Sequence, residues 1–218
     1  VLAWIFSVTL QPGWHSTIFG PYFVIAAVYS GTAVLIVIMA IYRKLFKLED
    51  LITRKHFINI GVVMLVLGAL FGYFTFSEYL TKWYGSQKND EQLISILFNR
   101  YYWLFLFSNY AGVLIPLIVV GLPKLRTIKW ITFAAIVVIV ALWINRYLII
   151  VPTLETPYLP VQDSREAWVN YGGTWVEWVL TLGGIGALCL FFTLGSKLVP
   201  IVPLSVAGEA EEIKENKV

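Results

Sequence analysis

FINIGVVMLVLGALFGYFTFSEY, residues 57–79, is the stretch whose reading decides the fold. It is apolar almost throughout, carries one charged side chain, Glu78, and shows no alternation of polar and apolar positions. About 20 such residues cross the roughly 30 Å of bilayer hydrocarbon as a helix. Lipid supplies no hydrogen-bond partners, so a run of this length without alternation reads as a transmembrane helix rather than a strand. Working outward, four more runs of the same kind appear at 19–41, 101–122, 128–151 and 176–194. The whole chain agrees: 59% of its residues are hydrophobic, only 13% are charged, and the mean hydropathy is +0.77. Soluble domains carry about a quarter charged residues. The expected fold class is therefore all-α, a polytopic transmembrane helical bundle with five spans. The expected organisation is an interfacial lead-in at 1–18, the bundle at 19–196 and a polar tail at 197–218. The start at Val1, with neither a polar lead nor a helix cap, suggests a chain entered partway, with an N-terminal part preceding it.

The basic residues supply an orientation. Arg43, Lys44, Lys47, Arg54, Lys55, Lys124, Arg126, Lys129, Lys197, Lys214 and Lys217 all fall on one face of an alternating topology. Lys82, Lys88, Arg100, Arg146 and Arg165 are left for the helices and the other face. The positive-inside bias makes the first face cytoplasmic. Outside then lie the start of the first span, a loop over 85–95 and a loop over 152–175. The tail from Gly208, GEAEEIKENKV, reads as a solvated cytoplasmic end. The outer loop carries Tyr158, Trp168, Tyr171 and Trp175; it is either ordered against the membrane face or a partner, or an aromatic belt at the interface.

Ionisable groups within spans are costly, so each is a functional hypothesis. The orientation gathers them in the outer half of the bilayer: His15 before the first span, Glu78, Arg100, Asn109 about 13 Å below Arg100, Arg146 and Glu177. A pair of Glu78 with Arg146 or Arg100 would make the buried charge tolerable. Lys82 and Arg100 are expected to snorkel to headgroups and tie helices together. Carboxylates and a histidine at this depth suit proton exchange with an amphipathic molecule arriving from the lipid. The candidate quinone-binding or proton-handling residues are His15, Tyr22, Glu78, Asn109 and Arg146.

His15 and His56 sit a membrane thickness apart and cannot share a haem. Cys189, the single cysteine, rules out a cysteine-ligated iron–sulfur cluster, a CxxCH haem attachment and an internal disulfide. The expectation is no haem or cluster in this chain, and no catalytic or metal-ligating residue. Nucleotide hydrolysis, zinc proteolysis and lipase chemistry have no motif here. Gly68, Gly72, Gly183, Gly184 and Gly186 read as close helix-packing sites.

PGWHSTIFGPYFV from Pro12, RKLFKLEDLIT from Arg43, KHF from Lys55, FSEYLTKWYG from Phe76 and TWVEWVLTLG from Thr174 occur in order, and with them the chain resembles the NrfD/PsrC family of polysulfide reductase membrane subunits. Within it, the likeness is to the large members of alternative complex III and of quinone reductase complexes. The resemblance implies a C-terminal four-helix bundle plus a closing helix in the cytoplasmic membrane of a bacterium or archaeon. It implies a menaquinone-type quinone as substrate, a periplasmic iron–sulfur partner subunit, and further membrane, c-type cytochrome or molybdopterin subunits; no nucleic acid is involved. Two departures stand out. Trp4-Ile5-Phe6 replaces a frequent WDF, and Asn145 stands where Glu is frequent, which weakens proton conduction through this half. Two other classes remain: a secondary transporter or ion channel, and a purely structural membrane anchor.

Overall fold

Helices in the computed structural model cover the five apolar runs; four extend beyond their run, while the third, Tyr102–Gly121, stops one residue short of it on each side. The structure describes residues 2–9, 13–14, 16–85, 88–155 and 173–198. A short helix α1 (Leu2–Ser7) precedes α2 (Phe19–Leu45) and α3 (Arg54–Gly85). Then come α4 (Lys88–Asn99), α5 (Tyr102–Leu106), a π-helical turn (Phe107–Ala111) and α6 (Gly112–Gly121). A 3₁₀ turn (Pro123–Leu125), α7 (Ile128–Glu155) and α8 (Trp175–Leu198) complete the described chain. Among the described residues, five spans are long and apolar enough to cross a membrane: α2, α3, the α5–π–α6 stretch Tyr102–Gly121, α7 and α8. The protein is a multi-pass, all-α membrane protein.

The chain divides into two units, one formed by Val1–Lys47 with Arg54–Tyr171, the other by Leu48–Thr53 with Gly172–Val218. In the first unit, α2 packs on α3 and α7, and α6 packs on the same two helices, so four spans close a bundle. Its two ends are identifiable from contacts. Arg54 Nε, at the start of α3, donates to the Arg126 carbonyl beyond α6. At the other end, Trp14 Nε1 donates to the Ile149 carbonyl near the end of α7, and Ser16 meets Glu78 near the end of α3. The latter is called the Glu78 end below.

Lipid is as apolar as a leucine side chain, so the bundle is held by close packing and by hydrogen bonds between helices rather than by the hydrophobic effect. Tyr29, Phe57, Met64, Phe71, Val120, Ile131 and Val138 are fully buried in it, while large apolar side chains such as Val28, Leu70 and Phe133 face outward. Pro116 has no N–H and leaves the Gly112 carbonyl, four residues back, without its helical donor. Tyr29 Oη donates to that carbonyl at 2.6 Å. Tyr29 passes Gly68 on the way, where a Cβ would sit 2.9 Å from the phenol oxygen, so the bare backbone of Gly68 is what admits it. Gly72 is equally close, at 3.1 Å, to Val113. Within their own unit, Gly183, Gly184 and Gly186 have no described atom within 4 Å of where a Cβ would sit.

The expected loop over 85–95 is largely the amphipathic helix α4. Its polar opening hides the helix from a hydropathy reading, yet Asp90 and Glu91 in the first turn suit a helix N-terminus. Leu93 and Leu97 bury against Phe105 and Leu148, which seats α4 on the Glu78 end.

Candidate functional site

Two features share the Glu78 end: a polar cluster inside the bundle and an apolar groove on its surface. The cluster forms because the last turns of α3 place Glu78 and Lys82 on one face, four residues apart, pointing into the bundle. Glu78 is only 5% exposed. Its Oε1 lies 2.7 Å from Lys82 Nζ, and its Oε2 accepts from Ser16 Oγ at 2.6 Å. Lys82 also donates to the Gly13 carbonyl at 3.0 Å, so the segment before α2 is tied to α3 through one carboxylate and one ammonium. A cavity of about 30 Å³ adjoins the pair and is bounded by Trp14, Tyr22, Glu78, Tyr79, Lys82 and Leu93 among others. That is room for about two water molecules.

Tyr22 continues the network inward. Its hydroxyl donates to Asn145 Oδ1 at 2.9 Å, and its ring stacks on Phe71 with centroids 5.4 Å apart. Asn145 thus has a partner suited to its neutral amide. Arg146, the next residue on α7, turns to α2: Nη2 donates to the Phe23 carbonyl at 3.1 Å and the guanidinium centre lies 3.5 Å from the Phe23 ring centroid. Its Nη1 is buried and meets no acceptor among the described residues.

These contacts correct the expected ion pairs. Glu78 is partnered by Lys82 rather than by Arg146 or Arg100, because an i,i+4 lysine on its own helix reaches it without crossing the bundle. Lys82 turns inward to the carboxylate rather than snorkelling out to headgroups. Arg146 meets no carboxylate among the described residues and is held by a backbone carbonyl and an aromatic face. Arg100 is half exposed and reaches Glu155, 3.4 Å away. Glu155, in the last turn of α7, is 2% exposed and also accepts from the Tyr101 hydroxyl at 2.9 Å. Sequence reasoning passed over it because the apolar run ends at Val151; its position one helical turn beyond that run was the available signal.

The groove runs between α3 and the α5–π–α6 span. It encloses about 610 Å³ between side chains that include Thr75, Phe76, Tyr79, Trp83, Phe105, Asn109, Tyr110 and Leu114. Asn109 enters it from the π-helical turn, with Nδ2 donating to the Phe105 carbonyl at 2.9 Å and Oδ1 buried without a donor. Tyr79 belongs to both features, bounding the Glu78 cavity and the groove, and its ring meets Phe105 edge to face at 5.0 Å. The structure therefore brings Tyr22 and Glu78 to one cavity, places Asn109 in the groove next to it and sets Arg146 behind Tyr22 on α7. His15 lies outside the described residues, as do Tyr158, Trp168, Tyr171 and the tail from 199. His56 opens α3 at the opposite end. Among the described residues no group of three or more His, Cys, Asp or Glu could hold a metal ion.

The sequence that builds this end has relatives among known proteins. Residues 1–157 match the family model described as polysulphide reductase, NrfD. An Hdr-like menaquinol oxidoreductase integral membrane subunit of Archaeoglobus fulgidus is 27% identical over 210 residues, covering 91% of this chain and 53% of that protein. A menaquinone reductase integral membrane subunit of Nitratidesulfovibrio vulgaris is 31% identical over 102 residues, 46% of this chain and 23% of its own. The chain thus spans about half the length of the first relative and less of the second. With its first four spans wholly inside the matched region, this multi-pass membrane protein belongs to the NrfD polysulphide reductase family.

Proposed function

We propose that the chain is part of an integral membrane subunit of a menaquinone-linked oxidoreductase and that its Glu78 end is where it deals with the quinone. The observation that carries this reading is the shared wall at Tyr79, with a ligand-sized apolar groove on one side and a buried carboxylate with its own small polar cavity on the other. A quinone headgroup and its isoprenoid tail arrive laterally from lipid and need an apolar slot of this size, since ligand pockets run to about 300–1,000 Å³. Oxidising one quinol to the quinone releases two electrons and two protons. Glu78, Lys82 and the adjacent cavity offer the proton a route away from the membrane interior. The electrons pass to a redox-active partner subunit, for which the family resemblance suggests a periplasmic iron–sulfur protein. The relatives' names support the quinone, and the charge asymmetry of the loops supports a periplasmic placement of the Glu78 end in a bacterial or archaeal cytoplasmic membrane.

A structural-anchor reading draws on Asn145, whose side chain is held by Tyr22 in a neutral hydrogen bond. One experiment separates the two: quinol oxidation by the intact membrane complex, wild type against Glu78→Gln and His15→Ala at matched assembly. Loss of turnover on the order of 100-fold in Glu78→Gln is the expected result. Unchanged turnover in both variants would reduce this half to scaffold.

A further inference from the structure

We infer that the end of the bundle opposite Glu78 carries a site for an anionic phospholipid whose headgroup holds two phosphates. Arg54 and Lys55 at the start of α3 build it together with Lys124, Arg126 and Lys129 around the turn between α6 and α7. It lies apart from the Glu78 end and from any quinone handled there.

Two local features gather these cations. Arg54, the first residue of α3, donates from Nε to the Arg126 carbonyl at 2.8 Å, which holds the start of α3 against the segment leading into α7. Arg126 folds back over the end of α6, where Nε donates to the Val120 carbonyl at 2.6 Å and Nη2 to the Gly121 carbonyl at 3.4 Å. The last carbonyls of a helix have no donor within it, and an arginine just past the end supplies one. Both arginines are thereby anchored through some of their N–H groups, while Nη1 and Nη2 of Arg54 and Nη1 of Arg126 bond to nothing among the described residues. A guanidinium fork matches the oxygens of a phosphate, and one already held in place gives up little freedom on binding it.

No carboxylate answers this charge. None of these cations is ion-paired among the described residues, and neither α3 nor α7 has an acidic residue in its first turn. Lys55, Lys124 and Lys129 are exposed, as is Trp130 beside them. A tryptophan at the mouth of a span marks the level of the lipid headgroups, so the cations stand where phosphates of the bilayer lie. They form two groups, one on α3 and one on the turn, joined by the Arg54–Arg126 bond, and two linked phosphates engage both at once. Basic pockets between spans suit such headgroups.

The test is thermal unfolding of the intact, delipidated complex in neutral detergent, titrated with cardiolipin, phosphatidylglycerol, phosphatidylcholine or inorganic phosphate at matched ionic strength. Cardiolipin should stabilise at a concentration at least about tenfold below that of phosphatidylglycerol, because its two phosphates are linked. Phosphatidylcholine and inorganic phosphate should give no shift. The triple variant Lys55→Gln, Lys124→Gln, Lys129→Gln removes side chains that make no hydrogen bond or ion pair among the described residues, so folding is spared. Each cation near anionic lipid counts for about fivefold, so cardiolipin binding should weaken about 100-fold. A control triple, Lys44→Gln, Lys47→Gln, Lys197→Gln, removes the same charge from exposed positions outside the cluster and should weaken it by no more than about threefold. Equal losses in the two triples would reduce the effect to general charge attraction and overturn the site. So would equal action of cardiolipin and phosphatidylglycerol, stabilisation by inorganic phosphate, or no shift with cardiolipin in the wild type.

Discussion

At the Glu78 end, the cluster and the groove solve the problem of a polar group in a membrane in opposite ways. In the cluster, Glu78 Oε2 accepts from Ser16, Oε1 lies 2.7 Å from the Lys82 ammonium as an ion pair without hydrogen-bond geometry, and the Tyr22 hydroxyl donates to Asn145. In the groove, a few ångströms beyond the Tyr79 ring, Asn109 keeps a buried acceptor with nothing to meet it. A polar group completed from within contributes to folding. The lesson is that burial of a polar residue in this bundle does not by itself mark function, since charged partners hold Glu78 where Asn109 has only the Phe105 carbonyl.

Substitutions should divide along that line. The largest effect is expected for Glu78→Ala, which leaves Lys82 facing the interior without its carboxylate. Breaking a buried pair from one side costs about 3–5 kcal/mol, and thermal unfolding of the complex in detergent should show it as a marked loss of stability. Stability equal to wild type would mean that Lys82 is free to turn to the interface and that the pair is not buried in the assembled protein. Next comes Glu155→Ala. It strips the Tyr101 hydroxyl and Arg100 of their shared acceptor, and about 2 kcal/mol is expected because Arg100 is half solvated. Turnover per assembled complex should stay at the wild-type value; a fall would move Glu155 out of the purely structural group.

A smaller effect is expected for Tyr22→Phe, which leaves the Asn145 oxygen buried without its donor, at a cost of about 1–2 kcal/mol in the same melt. Asn109→Leu should be smaller still, within about 1 kcal/mol, since loss of the Nδ2 bond to the Phe105 carbonyl is partly offset by removal of the buried Oδ1 that meets no donor among the described residues. A loss as large as that of Tyr22→Phe would show that Asn109 is a folding residue and would erase the distinction between cluster and groove.

Much of this architecture was legible in the chain. Five apolar runs announced five spans because hydrocarbon thickness fixes the minimum length of a crossing helix, and nothing about neighbouring helices is needed to read it. Glu78 and Tyr22 were identifiable as residues of interest for the same reason, a polar group amid apolar sequence. The helix α4 was not legible, since its exposed face is polar and only Leu93 and Leu97 seat it on the bundle. Pairings were misread for a related reason. Opposite charge suggests which residues can pair, whereas rotation of each helix about its axis determines which of them meet.

Sequence alone determined the class of the protein, its membrane setting and the crowding of ionisable groups toward one end. The tertiary structure decided that Lys82 rather than an arginine answers Glu78, that Tyr29 answers the carbonyl freed by Pro116, and that Asn109 answers the Phe105 carbonyl on its own helix. The physical reason is one of range: transfer of a segment into lipid depends on its own composition, while a hydrogen bond needs donor and acceptor within about 3 Å, a distance that helix packing sets.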